Sequence, residues 1–169
     1  EKSLEMTGEI ADGWLGTCFI PERAEVLLGL IERGAKRAGR SLDAIEIEIN
    51  APLSVSEDVE GLLDHARQRM AFTLGAMGSA KTNFYNAAFC RAGYEDVAKE
   101  VQGLWIEGDR GKAVAAVPDE MLLSAYLIGT EDMVRERIRA CREAGVNVLR
   151  LGPEGKTAKE RIANLEYSL

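Results

Sequence analysis

The sequence is poor in the residues from which metal centres and disulfide frameworks are built. Its 169 residues include one histidine and three cysteines. Cys18, Cys90 and Cys141 are odd in number, widely spaced and without a C-x-x-C pair, so they indicate neither a disulfide framework nor a zinc site. No Ser/His/Asp triad or Cys–His pair has support from spacing. We therefore expect no bound metal and a reducing compartment, with the cytoplasm as the default location.

Excess positive charge and long apolar runs are also missing. The chain has 21 Lys and Arg against 28 Asp and Glu, which gives a net charge of −7. Nucleic acids and anionic membranes both require a basic surface, so neither is expected as a partner. No run approaches the ~18 consecutive apolar residues of a membrane span. The apolar content of 46% is ordinary for a globular protein.

The periodicities that are present predict alternating helices and strands. Residues 1–10 carry the apolar spacing of a helix, and an apolar run at 14–20 predicts a strand after it. Strict alternation over 44–55 predicts a second strand, and 146–151 a third. Residues 79–117 are typical of two or three short helices without a strand, an insertion between repeats. About three parallel strands with flanking helices make this an α/β chain.

The alternation over 44–55 leaves two interpretations open, because one face of that strand is polar. In a closed barrel the inner face of a strand can be polar near the mouth, where a ligand lies. The alternative is a sheet face that is open to water. No linker or low-complexity tract interrupts the chain, so residues 1–169 are expected to form a single domain.

Several segments, taken in order, resemble one known family. TGEIADGW at 7–14 is followed by PERA at 21–24, AGRSLDAIEI at 38–47 and GAMGSAKTNFYN at 75–86. RAGYEDVAKEVQ, AVPDEM, IGTEDMVRERI and EAGVNVLRLGP continue the likeness. Together they resemble the C-terminal part of enzymes of the bacterial luciferase-like monooxygenase superfamily, and most closely its branch that uses the deazaflavin coenzyme F420.

The resemblance implies the C-terminal portion of a (β/α)8 TIM barrel. A whole barrel needs eight strands and ~250 residues. We therefore expect a fragment of a longer enzyme or one part of a two-piece assembly, whose partner is the missing N-terminal half or a second chain. A homo-oligomer stays open as well. Such a chain should expose an apolar strand edge or patch.

The function that the resemblance implies is that of an oxidoreductase. It would pass a hydride between bound coenzyme F420, or FMN, and a small organic substrate, or activate oxygen if FMN is used. In such an enzyme the cofactor carries the redox chemistry, which fits the absence of a catalytic triad. The alternative is a catalytically silent truncated paralogue that acts as a binding or scaffolding partner.

Two positions for the cofactor phosphate are expected. The resemblance places one at the helix start, where Lys2 and Ser3 offer a cation and a hydroxyl; an exposed helix start is the alternative. The other follows the last strand, where Arg150 and Lys156 can supply charge, unless Arg150 is a solvated or salt-bridged strand-end residue. The loop at 152–157 is two residues too short for a P-loop.

Pocket and lid residues are expected in two further stretches. Trp14 and Thr17 lie near the end of the first predicted strand, where barrel enzymes build their sites, and Trp14 suits the wall of a flavin-sized pocket. Asn83, Tyr85 and Asn86 lie in the insertion and are candidates for a substrate-covering lid. Packing and capping of the helix that follows explain them equally well.

Overall fold

The computed structural model describes residues 1–79 and 81–167, and in them four parallel strands form one sheet. The strands are Gly13–Gly16 (β1), Glu46–Val55 (β2), Leu127–Gly129 (β3) and Val148–Pro153 (β4). β1 pairs with the first half of β2, β3 pairs with its end, and β4 pairs along its middle. About three strands were expected; β3 is the additional one.

Helices surround the sheet and fill the connections between strands. Their bounds are Lys2–Ile10 (α1), Glu25–Arg37 (α2), Val59–Ala76 (α3), Phe84–Phe89 (α4), Glu95–Ile106 (α5), Arg110–Ala115 (α6), Asp119–Ala125 (α7), Glu131–Glu143 (α8) and Ala158–Glu166 (α9). A π-helical segment, Cys90–Tyr94, joins α4 to α5. The described part of the predicted insertion is helical, as expected. No described helix is long and apolar enough to cross a bilayer.

Two glycines bring α1 and α2 into backbone contact. A Cβ atom at Gly8 would lie 1.9 Å from the carbonyl oxygen of Ile31, and one at Gly34 would lie 1.8 Å from that of Glu5. Neither position has room for a side chain, because ordinary contacts between nonbonded heavy atoms are about 3.5 Å or longer. This contact sets the position of α1, and therefore of its first turn, relative to the sheet.

The first strand is shorter than the apolar run that predicted it. It ends at Gly16, and Cys18 has a left-handed backbone with φ of 56°, which a strand cannot contain. Phe19 and Ile20 are buried after this turn, with 5% and 4% of their surface exposed. The run at 14–20 therefore combines a strand with two core residues that follow a turn.

The polar face of β2 is open in the described part of the chain. Glu46 and Asn50 are exposed, whereas the alternate residues Ile47 and Ile49 are buried. Both interpretations stay open, because the inner face of a barrel strand is uncovered in the same way when only a portion of the barrel is present. Exposed apolar side chains also occur on α1 and β1, at Met6 (54% exposed), Ile10 (73%) and Leu15 (53%), and the expected apolar strand edge or patch stays a prediction.

Candidate functional site

Two cavities meet where β1 ends, and Thr17, the first residue after the strand, lines both. The first, the α1 cavity, has a volume of about 300 Å³ and lies between the start of α1, β1 and α4. The second, the β2 cavity, has a volume of about 150 Å³ and runs beside β2, between the end of β1 and the start of β3. Both lie at the carboxyl end of β1, the edge at which parallel α/β folds bind ligands.

One wall of the α1 cavity is aromatic. The ring of Trp14 lies over Gly16, where an added Cβ atom would be 2.3 Å from a ring carbon. The same ring meets Phe19 edge-on, with centroids 6.5 Å apart, and Phe84 lines the opposite side of the cavity with 62% of its surface exposed. This wall suits a flat ring system.

The lining of the α1 cavity also includes polar and charged side chains, among them Glu1 and Arg91. Ser3 and Thr7 line it from the first turns of α1, whose N-terminus has no side-chain cap. Arg91 enters from the π-helical segment, in which Gly93 has φ of 96°. Among the described residues Arg91 forms no ion pair, but Glu1 also lines the cavity and Glu5 lies in the first turn of α1, so these carboxylates partly offset the positive charge of Arg91 and of the α1 dipole.

The β2 cavity is lined by arginines and by protonated thiols. Arg69 pairs with Glu154, and its guanidinium lies 4.7 Å from the centre of the Tyr126 ring. Burial raises the pKa of the Tyr126 hydroxyl, and Arg69 opposes that rise. Burial also raises the pKa of the Cys141 thiol to about 11, and that of Cys18 above its usual range. Neither thiol is ionised near neutral pH, so neither is an activated nucleophile.

The structure brings together part of the predicted site. Ser3, Trp14 and Thr17 all line the α1 cavity, whereas Lys2 is exposed beside Ser3 and does not line it. Tyr85 lines the β2 cavity instead. Arg91 was not expected at the site, because nothing in its spacing distinguishes it from an ordinary surface arginine.

The two residues predicted to bind phosphate after the last strand, Arg150 and Lys156, lie in different surroundings in this structure. Arg150 lies 2.7 Å from the carboxylate of Glu48 with 57% of its side chain exposed, which is the salt-bridged alternative. Lys156 lines a third cavity of about 670 Å³ at the start of α9. There the Glu160 carboxylate accepts the backbone N–H of Lys156 at 2.7 Å, and this bond lowers the pKa of Glu160. The first turn of α9 thus already carries an anion of its own.

Asn83 and Asn86 form structural hydrogen bonds. Each is 6% exposed. The Asn83 amide donates to the carbonyl of Leu74 at 2.8 Å, and the Asn86 amide donates to that of Ala98 at 2.7 Å. The Asn83 side chain also caps α4. These contacts join α3, α4 and α5, as the packing and capping alternative describes; a role in a substrate-covering lid stays a prediction.

A family model described as luciferase-like monooxygenase matches residues 1–148. A Mycobacterium tuberculosis relative that carries the name of a coenzyme F420-dependent oxidoreductase is 30% identical over 150 residues, which are 88% of this chain and 43% of that protein. The 5,10-methylenetetrahydromethanopterin reductase of Methanopyrus kandleri is 30% identical over 162 residues, 96% of this chain and 45% of the reductase. The chain thus spans a little under half the length of these relatives.

Solved structures show the same architecture. The coenzyme F420-dependent tetrahydromethanopterin reductase of Methanopyrus kandleri superimposes with a TM-score of 0.73 at 30% identity, over 96% of this chain and 45% of that one. An F420-dependent secondary alcohol dehydrogenase in complex with an F420-acetone adduct superimposes with a TM-score of 0.68 at 20% identity, over 99% and 45%. The second match supports the fold alone. The expected portion of a TIM-barrel enzyme is confirmed.

Proposed function

We propose that this chain, which belongs to the luciferase-like monooxygenase family, holds coenzyme F420 in the α1 cavity as part of an oxidoreductase. The observation that carries the proposal is the convergence of Ser3, Trp14 and Thr17 with the unpaired Arg91 around one cavity. Relatives whose names include coenzyme F420 support this cofactor over FMN.

The residues present fit such a cofactor. A phosphorylated deazaflavin has a flat ring and an anionic group, and the cavity offers aromatic side chains together with Arg91, Ser3 and Thr7, although Glu1 lines it as well. Its volume of about 300 Å³ is at the lower end of the range for ligand sites. It therefore holds part of the cofactor, and the remaining contacts come from the part of the barrel that this chain does not span. That part is either a preceding segment or a second chain.

The cofactor supplies the hydride chemistry when it is bound, and the chain's own residues bind and orient it. Arg91 and Ser3 hold the anionic group beside the uncapped start of α1. Trp14 packs against the ring. Leu27 and Leu30 line the same cavity and exclude water from it. Thr17, at the boundary of the two cavities, positions its hydroxyl next to the place where a small organic substrate meets the cofactor.

Fluorescence titration tests the proposal with two forms of the cofactor, phosphorylated and dephosphorylated. We expect weak binding to this chain alone, because small ligands gain only a few tenths of a kcal/mol per atom and many ring contacts are absent. Binding should strengthen when the complementary N-terminal half is supplied. In that reconstituted protein, Arg91→Ala should weaken binding of the phosphorylated form at least about tenfold, since a hydrogen bond to a charged group contributes about 1.5–3 kcal/mol.

The matched control is Arg139→Ala, an exposed arginine on α8 that lines neither cavity at the end of β1. It should leave both affinities unchanged. Equal losses for both cofactor forms in Arg91→Ala would remove Arg91 from the site. Absence of F420 and FMN binding in the reconstituted protein would refute the oxidoreductase role and support the silent binding partner.

A further inference from the structure

Two arginines in the wall of the β2 cavity carry buried guanidinium N–H groups. Among the described residues, Nε and Nη2 of Arg69 and Nε of Arg137 are buried without a hydrogen bond of normal geometry, although Arg69 also interacts with the hydroxyl of Tyr126. The two side chains are 32% and 16% exposed. A buried donor without an acceptor is costly, and native proteins keep few of them unless a ligand or ordered water completes the site.

The remaining guanidinium nitrogens of both arginines are bonded to acceptors of the protein. Nη1 of Arg69 pairs with Glu154, and both terminal nitrogens of Arg137 are bonded to the carboxylate of Glu22. Nη2 of Arg137 also donates to the Ser124 carbonyl. The carboxylates of Glu154 and Glu22 therefore nearly balance the positive charges of Arg69 and Arg137. The site favours a ligand with one negative charge over one with two.

The rest of the cavity is small and mostly apolar, with Thr17, Asn50, Thr73 and Ser124 as further polar lining residues. Phe19, Phe89 and Tyr126 contribute aromatic walls, and the volume is about 150 Å³. An apolar protein cavity of about this size accommodates a benzene molecule, so a ligand of roughly five to seven non-hydrogen atoms fits. Such a ligand needs an apolar body together with its anionic end.

We propose that the β2 cavity binds a small organic carboxylate, whose oxygens accept hydrogen bonds from Arg69 and Arg137. A planar carboxylate matches the guanidinium fork, whereas a phosphate dianion would bring excess charge and no apolar body. Because Thr17 lines both cavities, the carboxylate lies beside the cofactor position and belongs to the substrate class of the enzyme. The assignment of the carboxylate as a substrate rests on the proposed function, whereas the binding of a carboxylate in the β2 cavity does not.

Propionate and its neutral isostere propionamide are the probes, titrated calorimetrically into the 169-residue chain without cofactor. We expect propionate to bind at least about tenfold more tightly than propionamide, because only the anion forms charge-assisted bonds. Arg69→Gln should reduce propionate affinity by about tenfold or more. The control is Arg67→Gln on the same helix, a 17% exposed and carboxylate-paired arginine that does not line the cavity. It should change the affinity by less than about twofold.

A second variant keeps the test decisive if Arg69→Gln does not fold, as circular dichroism would show. Cys141→Met places extra atoms into the β2 cavity and should abolish propionate binding while the chain stays folded. Equal binding of propionate and propionamide, equal losses in Arg69→Gln and Arg67→Gln, or tighter binding of inorganic phosphate than of propionate would each overturn the proposal. The F420 titration is separate. Propionate binding without F420 binding would keep the site and refute its role as a substrate site.

Discussion

The backbone contact between α1 and α2 predicts opposite outcomes for two glycines on one helix. A Cβ atom at Gly34 would lie 1.8 Å from the carbonyl oxygen of Glu5, so Gly34→Ala must move α1 by about 1.7 Å to reach ordinary contact. The clash is between a Cβ atom and a backbone carbonyl oxygen, so no side-chain rotation can relieve it. Overpacking costs typically about 1–3 kcal/mol, and a clash between two helix backbones belongs at the upper end of that range, whereas alanine returns about 1 kcal/mol of helix propensity. We expect a net destabilisation of about 2 kcal/mol.

Gly29 is the matched control, because it lies in the same helix and an added Cβ atom there meets nothing within 4 Å. Gly29→Ala should stabilise the chain by about 1 kcal/mol. The two variants should then differ by about 3 kcal/mol, or roughly 6–12 °C in Tm for a domain of this size. Urea unfolding followed by circular dichroism measures the difference.

The same pair of variants connects stability to the site. The first turn of α1 lines the α1 cavity. Gly34→Ala should therefore also weaken F420 binding in the reconstituted protein, whereas Gly29→Ala should not. If Gly34→Ala unfolds at the same urea concentration as Gly29→Ala, or at a higher one, then α1 and α2 are not packed as described, and the position assigned to the α1 cavity loses its support.

Three further variants test the remaining contacts. Asn86→Ala leaves the carbonyl of Ala98 without its side-chain donor in the interior, so it should cost about 2–3 kcal/mol in urea unfolding; a loss under about 0.5 kcal/mol would contradict the structural role. Arg150→Ala removes an ion pair that is largely exposed on the arginine side, and the same assay should show a loss of at most about 1 kcal/mol. Cys141 has a pKa of about 11 against an ordinary 9.0, so the unfolded state releases its proton first and stability should fall between pH 9 and pH 11. Cys141→Ala should flatten that pH dependence, and an unchanged slope would exclude the thiol as its cause.

Much of the fold was predictable because its signals are local. The helix at 1–10, the alternating strand β2 and the helical insertion each carry a periodicity that packing then confirms. β3 was missed because three residues are too few to show a period of two. The strand expected at 14–20 was too long, since burial alone produces the same apolar run after the turn at Cys18.

The candidate site was predictable only in pieces. Ser3, Trp14 and Thr17 were expected from a helix start and a strand end, and the structure places all three around one cavity. Arg91 carries no local signal, because its role depends on where the π-helical segment places it. Arg150 lies opposite Asn50 in the pairing of β2 with β4 and forms its ion pair with Glu48, two residues away on β2; no spacing within one strand shows these neighbours.

The sequence by itself determined the α/β class, the family and the acidic balance, because these depend on composition, local periodicity and the order of short motifs. Only the tertiary structure decided which side chains share a cavity. That depends on the contact of α1 with α2 through Gly8 and Gly34, and on the half-buried arginines Arg69 and Arg137, whose carboxylate partners are distant in the chain. Contacts of this kind join residues far apart in sequence, and no pattern within a single helix or strand specifies them.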